Sequence, residues 1–140
     1  MSRVIKPDST GKQRTQLSKA IVLAVRELAR QDGVTDQTRD LAAFIAIALQ
    51  IIADGIDASV TAWEKRDYWI KADRFRLEWA WAGQISEKMR ISVLADDWGT
   101  VATLSAQVAQ KLAKVQVSEN HRLGRPWVGA YQELIRNKTT

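Results

Sequence analysis

The sequence contains no cysteine, which excludes disulfide bonds, thiolate metal sites and a cysteine nucleophile. Its one histidine, His121, falls in a polar stretch, and no Glu-x-x-His pair occurs, so the helical di-iron site lacks its usual ligands. A serine triad would have to use this histidine, and no nucleophile elbow surrounds any serine. The sequence therefore predicts a non-enzymatic protein without a metal or a cofactor.

Long hydrophobic runs are absent as well. The longest, from Leu41 to Leu49, is about half the length that a membrane-spanning helix needs. The first fifteen residues, MSRVIKPDSTGKQRT, are charged and lack the apolar core of a signal peptide. We therefore expect a cytoplasmic protein without a membrane partner, and 140 residues fit one domain.

Basic residues concentrate at the two ends of the chain, while the middle is mildly acidic. Residues 1–19 and residues 111–140 each carry a net charge of +4, and residues 20–110 carry −3. Basic ends on such a body either contact nucleic acid or serve as solubilising tails. The residues that we predict to bind nucleic acid are Arg3, Lys6, Lys12, Arg14, Lys19, Arg122 and Arg125.

Apolar residues at helical spacing predict an all-α fold, a four-helix bundle with a short C-terminal helix. The predicted long helices span about 15–31, 38–66, 67–95 and 98–115, and the short one spans about 126–136. Residues 1–14 have no apolar period and are predicted to form a flexible, extended basic arm, followed by a single helical domain over 15–140. Thr15 and Asp97 are predicted N-caps, and Pro126 is the predicted first residue of the last helix.

The second helical pattern is apolar almost all round in its first half, so it should be the most buried helix. Gly55, later in this pattern, marks either a close approach of another helix or a weak point. Whether this helix continues into the third one stays open. The fourth helix has a seam rich in small residues: Trp98, Val101, Ala102, Ser105, Val108, Ala109 and Leu112. The short helix has a shared face: Trp127, Ala130, Tyr131 and Leu134.

The segment from Trp63 to Trp81 holds four of the six tryptophans, interleaved with charged residues. On a helix it separates into a core stripe of Tyr68, Phe75 and Trp79 and an offset apolar stripe. The offset stripe is either a second core contact, a protein interface or a platform for stacked bases on Trp69 or Trp81. The predicted interface consists of Ile70, Arg74, Leu77, Trp81 and Ile85.

Two carboxylate pairs suggest a rival, enzymatic interpretation. Asp54 with Asp57, and Glu64 with Asp67, have the spacing that holds magnesium on the helices of all-α nucleotide pyrophosphohydrolases. Both pairs fall on one helical pattern, however, whereas such enzymes place them on two facing helices. A solvated polar strip is the simpler interpretation.

The leading hypothesis is a non-enzymatic helical subunit or adaptor of a larger assembly. Its third helix would bind a protein partner, and its basic ends would contact nucleic acid or a ribonucleoprotein. Two alternatives stay open, a self-associating helical scaffold without a nucleic-acid role and the metal-dependent pyrophosphohydrolase.

Overall fold

The computed structural model describes residues 7–138, which fold as five α-helices. Within these residues there is no β-strand, so the all-α prediction is confirmed. The helices are α1 (Pro7–Ala29), α2 (Asp36–Lys65), α3 (Trp69–Leu94), α4 (Trp98–Lys111) and α5 (Ala130–Lys138). Four long helices and a short C-terminal one match the predicted architecture, and the differences concern where individual helices begin and end.

The central element is α2, which packs against α1, α3 and α5. Its first half, Leu41–Leu49, is buried at nearly every position, as its apolar sequence predicts. In the described part of the chain, α2 is also the one helix that is long and apolar enough to cross a membrane. In this bundle most of its large apolar residues belong to the core, where the neighbouring helices cover them.

The first helix begins at Pro7, well before the predicted start near residue 15. The second half of the predicted arm is therefore helical, and residues 1–6 lie outside the described residues. Proline does not break a helix in its first turn, because the amide that it lacks has no intrahelical partner there. Thr15 is not an N-cap, since its hydroxyl donates to the Gly11 carbonyl within the helix at 3.1 Å.

The approach of α1 to α2 explains Gly55. A Cβ atom at this position would lie 3.1 Å from the Thr10 side chain, closer than ordinary van der Waals contact. Of the two interpretations that the sequence left open, the structure supports the close approach. A residue without a side chain allows the first half of α1 to lie directly on α2.

A left-handed residue separates α2 from α3. Asp67 has a φ of 63°, its amide donates to the Glu64 carbonyl at 3.0 Å, and the Tyr68 amide donates to the Trp63 carbonyl at 2.9 Å. This pair of bonds is a Schellman motif, which satisfies the last carbonyls of a helix and turns the chain. The two helices are therefore distinct and antiparallel neighbours.

A Schellman motif also ends α3. Asp96 has a φ of 54°, its amide donates to Val93, and the Asp97 amide donates to Ser92. Asp97 then caps α4, as predicted, by accepting from the Thr100 amide at 3.2 Å and the Thr100 hydroxyl at 2.6 Å. These hydrogen bonds hold the pKa of the Asp97 carboxyl below its ordinary value, and the bond from the Thr100 hydroxyl has the larger effect.

The last helix begins at Ala130, not at Pro126, because Gly129 with a φ of 85° interrupts the chain before it. Asp40 on α2 supplies the cap, since its carboxylate accepts the Gly129 amide at 3.2 Å and the Tyr131 amide at 3.0 Å. Of the predicted shared face, three residues are buried and Tyr131 is half-buried; the buried ones are Trp127, Ala130 and Leu134. The helix is thus held on α2 by both packing and hydrogen bonds.

The fourth helix is short and covers only part of the bundle. It ends at Lys111, not near residue 115, and its 14 residues span roughly 21 Å at the helical rise. It contacts α3 and α1, and the clefts that it lines together with α1 begin at Val22. The half of the bundle that contains the α2–α3 turn therefore consists of three helices.

Candidate protein-interaction surface

The three-helix half of the bundle exposes apolar side chains at the start of α3. Ile70 is 72% exposed and Leu77 is 78% exposed, and one heptad separates them, so they share one side of the helix. Arg74 is exposed between them, and Tyr68 and Trp69 are each more than half exposed beside them. We call these five residues, Tyr68, Trp69, Ile70, Arg74 and Leu77, the α3 face.

Packing on the opposite side of α3 fixes the direction of this face. Ala72, Ala82 and Met89 are fully buried, and the Ser86 hydroxyl donates to the Ala46 carbonyl of α2 at 2.7 Å. Gly83 lies so close to α2 that a Cβ atom there would be 3.5 Å from the Ala53 side chain. Because α3 is anchored along this side, the α3 face can only point to solvent.

Two residues of the predicted interface are placed differently. Ile85 is only 6% exposed and belongs to the core, so a partner cannot reach it. At 100° per residue, Ile85 lies about 60° around the helix from Ile70. It also lies in the second half of α3, along which α4 packs. Trp81 is half-buried and stacks on Trp79 with the ring centroids 5.7 Å apart.

The predicted core stripe is confirmed for Phe75 and Trp79, which pack against the core, and is wrong for Tyr68. Tyr68 precedes the first residue of α3 and is 54% exposed, because the turn after Asp67 carries it away from the helix surface. Periodicity cannot place a residue that lies outside the helix.

An aromatic layer supports the face from below. The Trp63 and Phe75 rings lie 4.9 Å apart. The Arg14 guanidinium lies 5.1 Å from the Phe75 ring and 5.8 Å from the Trp79 ring, and the Lys71 ammonium lies 4.4 Å from Trp63. Such cation–π contacts link α1, α2 and α3 into one unit at this end.

Arg76, another basic side chain at this end of the bundle, forms two ion pairs. Arg76 donates to Glu64 at 2.8 Å and to Asp73 at 2.7 Å. The hydrogen bond to Glu64, with that to Asp73, raises the pKa of the Arg76 guanidinium. Arg74, by contrast, forms no ion pair with any acidic side chain among residues 10–137. It is the basic side chain of the α3 face that a partner can use.

The residues predicted to bind nucleic acid fall into separate groups. Arg3 and Lys6 lie outside the described residues. One group lies on the first part of α1 and consists of Lys12, Arg14 and Lys19. The other lies in the loop between α4 and α5, is exposed, and consists of Arg122 and Arg125. Lys12 is exposed, Lys19 is half-buried, and Arg14 contacts two aromatic rings.

The described basic residues do not form a single patch. Arg125 shares a cleft with Leu23 and Glu27, near the C-terminal end of α1. Glu27 lies roughly 20 Å along α1 from Arg14 at the helical rise of about 1.5 Å per residue. Binding of nucleic acid by both groups together would therefore need a ligand that spans about 20 Å of the bundle surface.

The carboxylate pairs are not gathered into a site. Asp54 accepts from Gln50 at 2.9 Å, Glu64 accepts from Arg76, and Asp67 forms the turn between two helices. Among the described residues, no group of three or more His, Cys, Asp or Glu side chains is placed to hold a metal ion. His121 is exposed, and its Nδ1 atom accepts the Leu123 amide at 3.3 Å.

A groove between α1 and α4 is a feature that the sequence did not indicate. Its larger part has a volume of about 500 Å³, and a smaller cleft of about 160 Å³ shares Val25 and Ala109 with it. The predicted α4 seam is therefore only partly buried. Ala102 and Ala109 are exposed along this groove, and the Ser105 hydroxyl lies in its wall with no hydrogen-bond partner among the described residues.

Apolar side chains line both walls of the groove, and most of those on α4 are small. The α1 wall consists of Val22, Val25, Leu28 and Ala29. The α4 wall consists of Trp98, Val101, Ala102, Ser105, Ala106 and Ala109. In the sequence, the run of small residues in α4 is the signal that relates to this groove. Such a run is equally consistent with tight helix packing and with an open groove.

Comparison with known proteins gives no match. No family model matches the chain, and no curated protein or solved structure is significantly similar to it. Its function therefore has to be inferred from the surfaces described above.

Proposed function

We propose that this protein is a non-enzymatic helical adaptor or subunit that binds a protein partner through the α3 face. The observation that carries the proposal is the pair Ile70 and Leu77, the most exposed of the large hydrophobic side chains in the described structure. They project from a helix whose other side is anchored in the core. Contiguous exposed apolar side chains on a rigid element are typical of a protein interface.

The composition of the face supports this proposal. Full burial of an exposed isoleucine or leucine side chain is favourable by about 1.5–3 kcal/mol, from which the costs of association are subtracted. Trp69 and Arg74 belong to the residue types that contribute most binding energy at interfaces. Lys71 and Arg76, which flank the face, already contact Trp63 and acidic side chains, so they suit a polar rim. The face thus combines an apolar centre with a charged border.

Site-specific photo-crosslinking in the cells that make the protein tests the proposal. A photoreactive residue at position 77 is expected to give a discrete covalent adduct with a protein. The same residue at Gln132, an exposed position on α5, is the matched control. Equal yields from the two positions, or no adduct from position 77, would contradict the proposal.

A further inference from the structure

The two apolar surfaces of this chain have complementary shapes. On the α3 face, Ile70 and Leu77 form a ridge on a convex helix surface. Between α1 and α4 the chain has an apolar concavity of about 500 Å³, and four of the six α4 residues that line it are alanine or serine. Helices pack by placing the ridge of one into the groove of another, and small residues allow a close approach.

Their charges are complementary as well. Residues 64–78, which contain the α3 face and the Glu64 partner of Arg76, include five basic and four acidic side chains, a net charge of +1. Residues 26–40 and 95–98, which surround the groove at this end, include six acidic and three basic side chains, a net charge of −3. Asp32 lines the groove directly, and Asp36, Asp96 and Asp97 lie in or beside the adjacent turns. Arg125, which shares a cleft with Glu27, still leaves this end acidic.

The two surfaces lie in different halves of the bundle. The α3 face follows the α2–α3 turn, and the mouth of the groove lies at the α1–α2 and α3–α4 turns. Since α2 separates these turns by 30 residues, or roughly 45 Å, one molecule cannot join its own two surfaces. Two copies can join them, and each would keep one surface unoccupied.

We propose that the occupant of the groove is a second copy of this chain, which inserts Ile70 and Leu77 between α1 and α4. This inference rests on the proposed function of the α3 face and identifies the partner. The contact is head-to-tail, so it uses different surfaces on the two copies. Such contacts build closed rings or open filaments, whereas a symmetric contact stops at a dimer.

Sedimentation of the purified full chain between about 1 µM and 1 mM, the range in which weak contacts dissociate, tests this inference. The mass is expected to rise with concentration and to fall with added salt, because charge attraction contributes to the contact. Leu77→Glu on the ridge and Ala106→Arg in the groove should each raise the dissociation constant at least tenfold. The matched controls are Ala58→Glu and Gln107→Arg, exposed positions outside both surfaces.

Mixing the two variants distinguishes a head-to-tail contact from a symmetric one. Leu77→Glu keeps an intact groove and Ala106→Arg keeps an intact ridge, so an equimolar mixture should form heterodimers that grow no further. A symmetric contact between two α3 faces would give the opposite result: Ala106→Arg alone would still dimerise, and the mixture would gain nothing. That outcome would overturn the head-to-tail geometry.

A strictly monomeric chain at the highest concentration would overturn the inference that the partner is a second copy. It would leave the proposed function standing if crosslinks from position 77 still capture a different protein. Absence of any crosslink at that position would instead overturn the proposed function. Circular dichroism of each variant checks folding, which should be preserved because Leu77 and Ala106 are exposed.

Discussion

Two aspartates, Asp67 and Asp96, hold left-handed backbone conformations at the ends of α2 and α3. This region costs an L-residue about 1–2 kcal/mol, and glycine is the usual residue at this position of a Schellman motif. Asp96 has a second role, because it accepts a hydrogen bond from the Trp98 indole at 3.2 Å. Asp67 is exposed and has no such bond among the described residues, so its backbone strain can be tested in isolation.

Asp67→Gly is therefore expected to stabilise the protein by about 0.5–1 kcal/mol, less than the full strain because glycine also loses more entropy on folding. Urea unfolding of the two proteins measures the difference. Asp67→Ala is the matched variant and should not share the gain, since its Cβ atom keeps the left-handed penalty. If Asp67→Gly were no more stable than the native protein, the turn would not be strained.

The shortest helix, α5, depends on another helix for its cap. Its first amides are satisfied by Asp40 of α2, so the usual local N-cap is supplied across the fold. Trp127 and Leu134 add apolar contacts, and they are the reason that a nine-residue helix is stable at all. A helix this short would not persist in isolation.

Asp40→Ala should lower the free energy of unfolding by about 0.5–2 kcal/mol, the range for loss of an N-cap. It should also accelerate tryptic cleavage after Arg122, because the loop before α5 loses its anchor. Asp57→Ala, which removes an exposed carboxylate from the same helix, is the control. Unchanged cleavage in Asp40→Ala would show that apolar packing alone holds α5.

In the four-helix body, α2 is the most buried helix. We therefore expect local stability to be highest in α2 and lower in the elements around it. Amide hydrogen exchange is expected to be slowest in Leu41–Leu49, which is buried on almost every side. It should be fastest in the exposed stretch from Gln116 to Arg122 and in the first turns of α1. Mass spectrometry of peptides after timed exchange measures this order. Slowest exchange in α1 or α4 would contradict a core centred on α2.

The nucleic-acid contact of the chain ends stays a prediction. The described basic groups lie at two places on the bundle, and Arg14 contributes to packing as well as to charge. A substitution of Arg14 would therefore alter both the surface and the aromatic layer. Lys12, Arg122 and Arg125 are exposed and are the better positions at which to examine the charge alone.

The sequence by itself determined the helices, their order and the buried character of α2, because apolar periodicity is a local property of the chain. It also located the cap at Asp97 and assigned Ile70 and Leu77 to an offset stripe, which it left open between core and interface. It did not place Ile85 or the residue at which α1 begins. Those depend on what lies beside a helix and on turn conformations that periodicity does not report.

Only the tertiary structure decided which apolar stripes are covered. Two stripes of α3 look equivalent on a helical projection, and the one toward α2 is buried because α2 lies there. The short span of α4 then leaves Ile70 and Leu77 in solvent while it covers Ile85, and it leaves a groove beside α1. Burial is a relation between elements, so no single helical pattern could determine it.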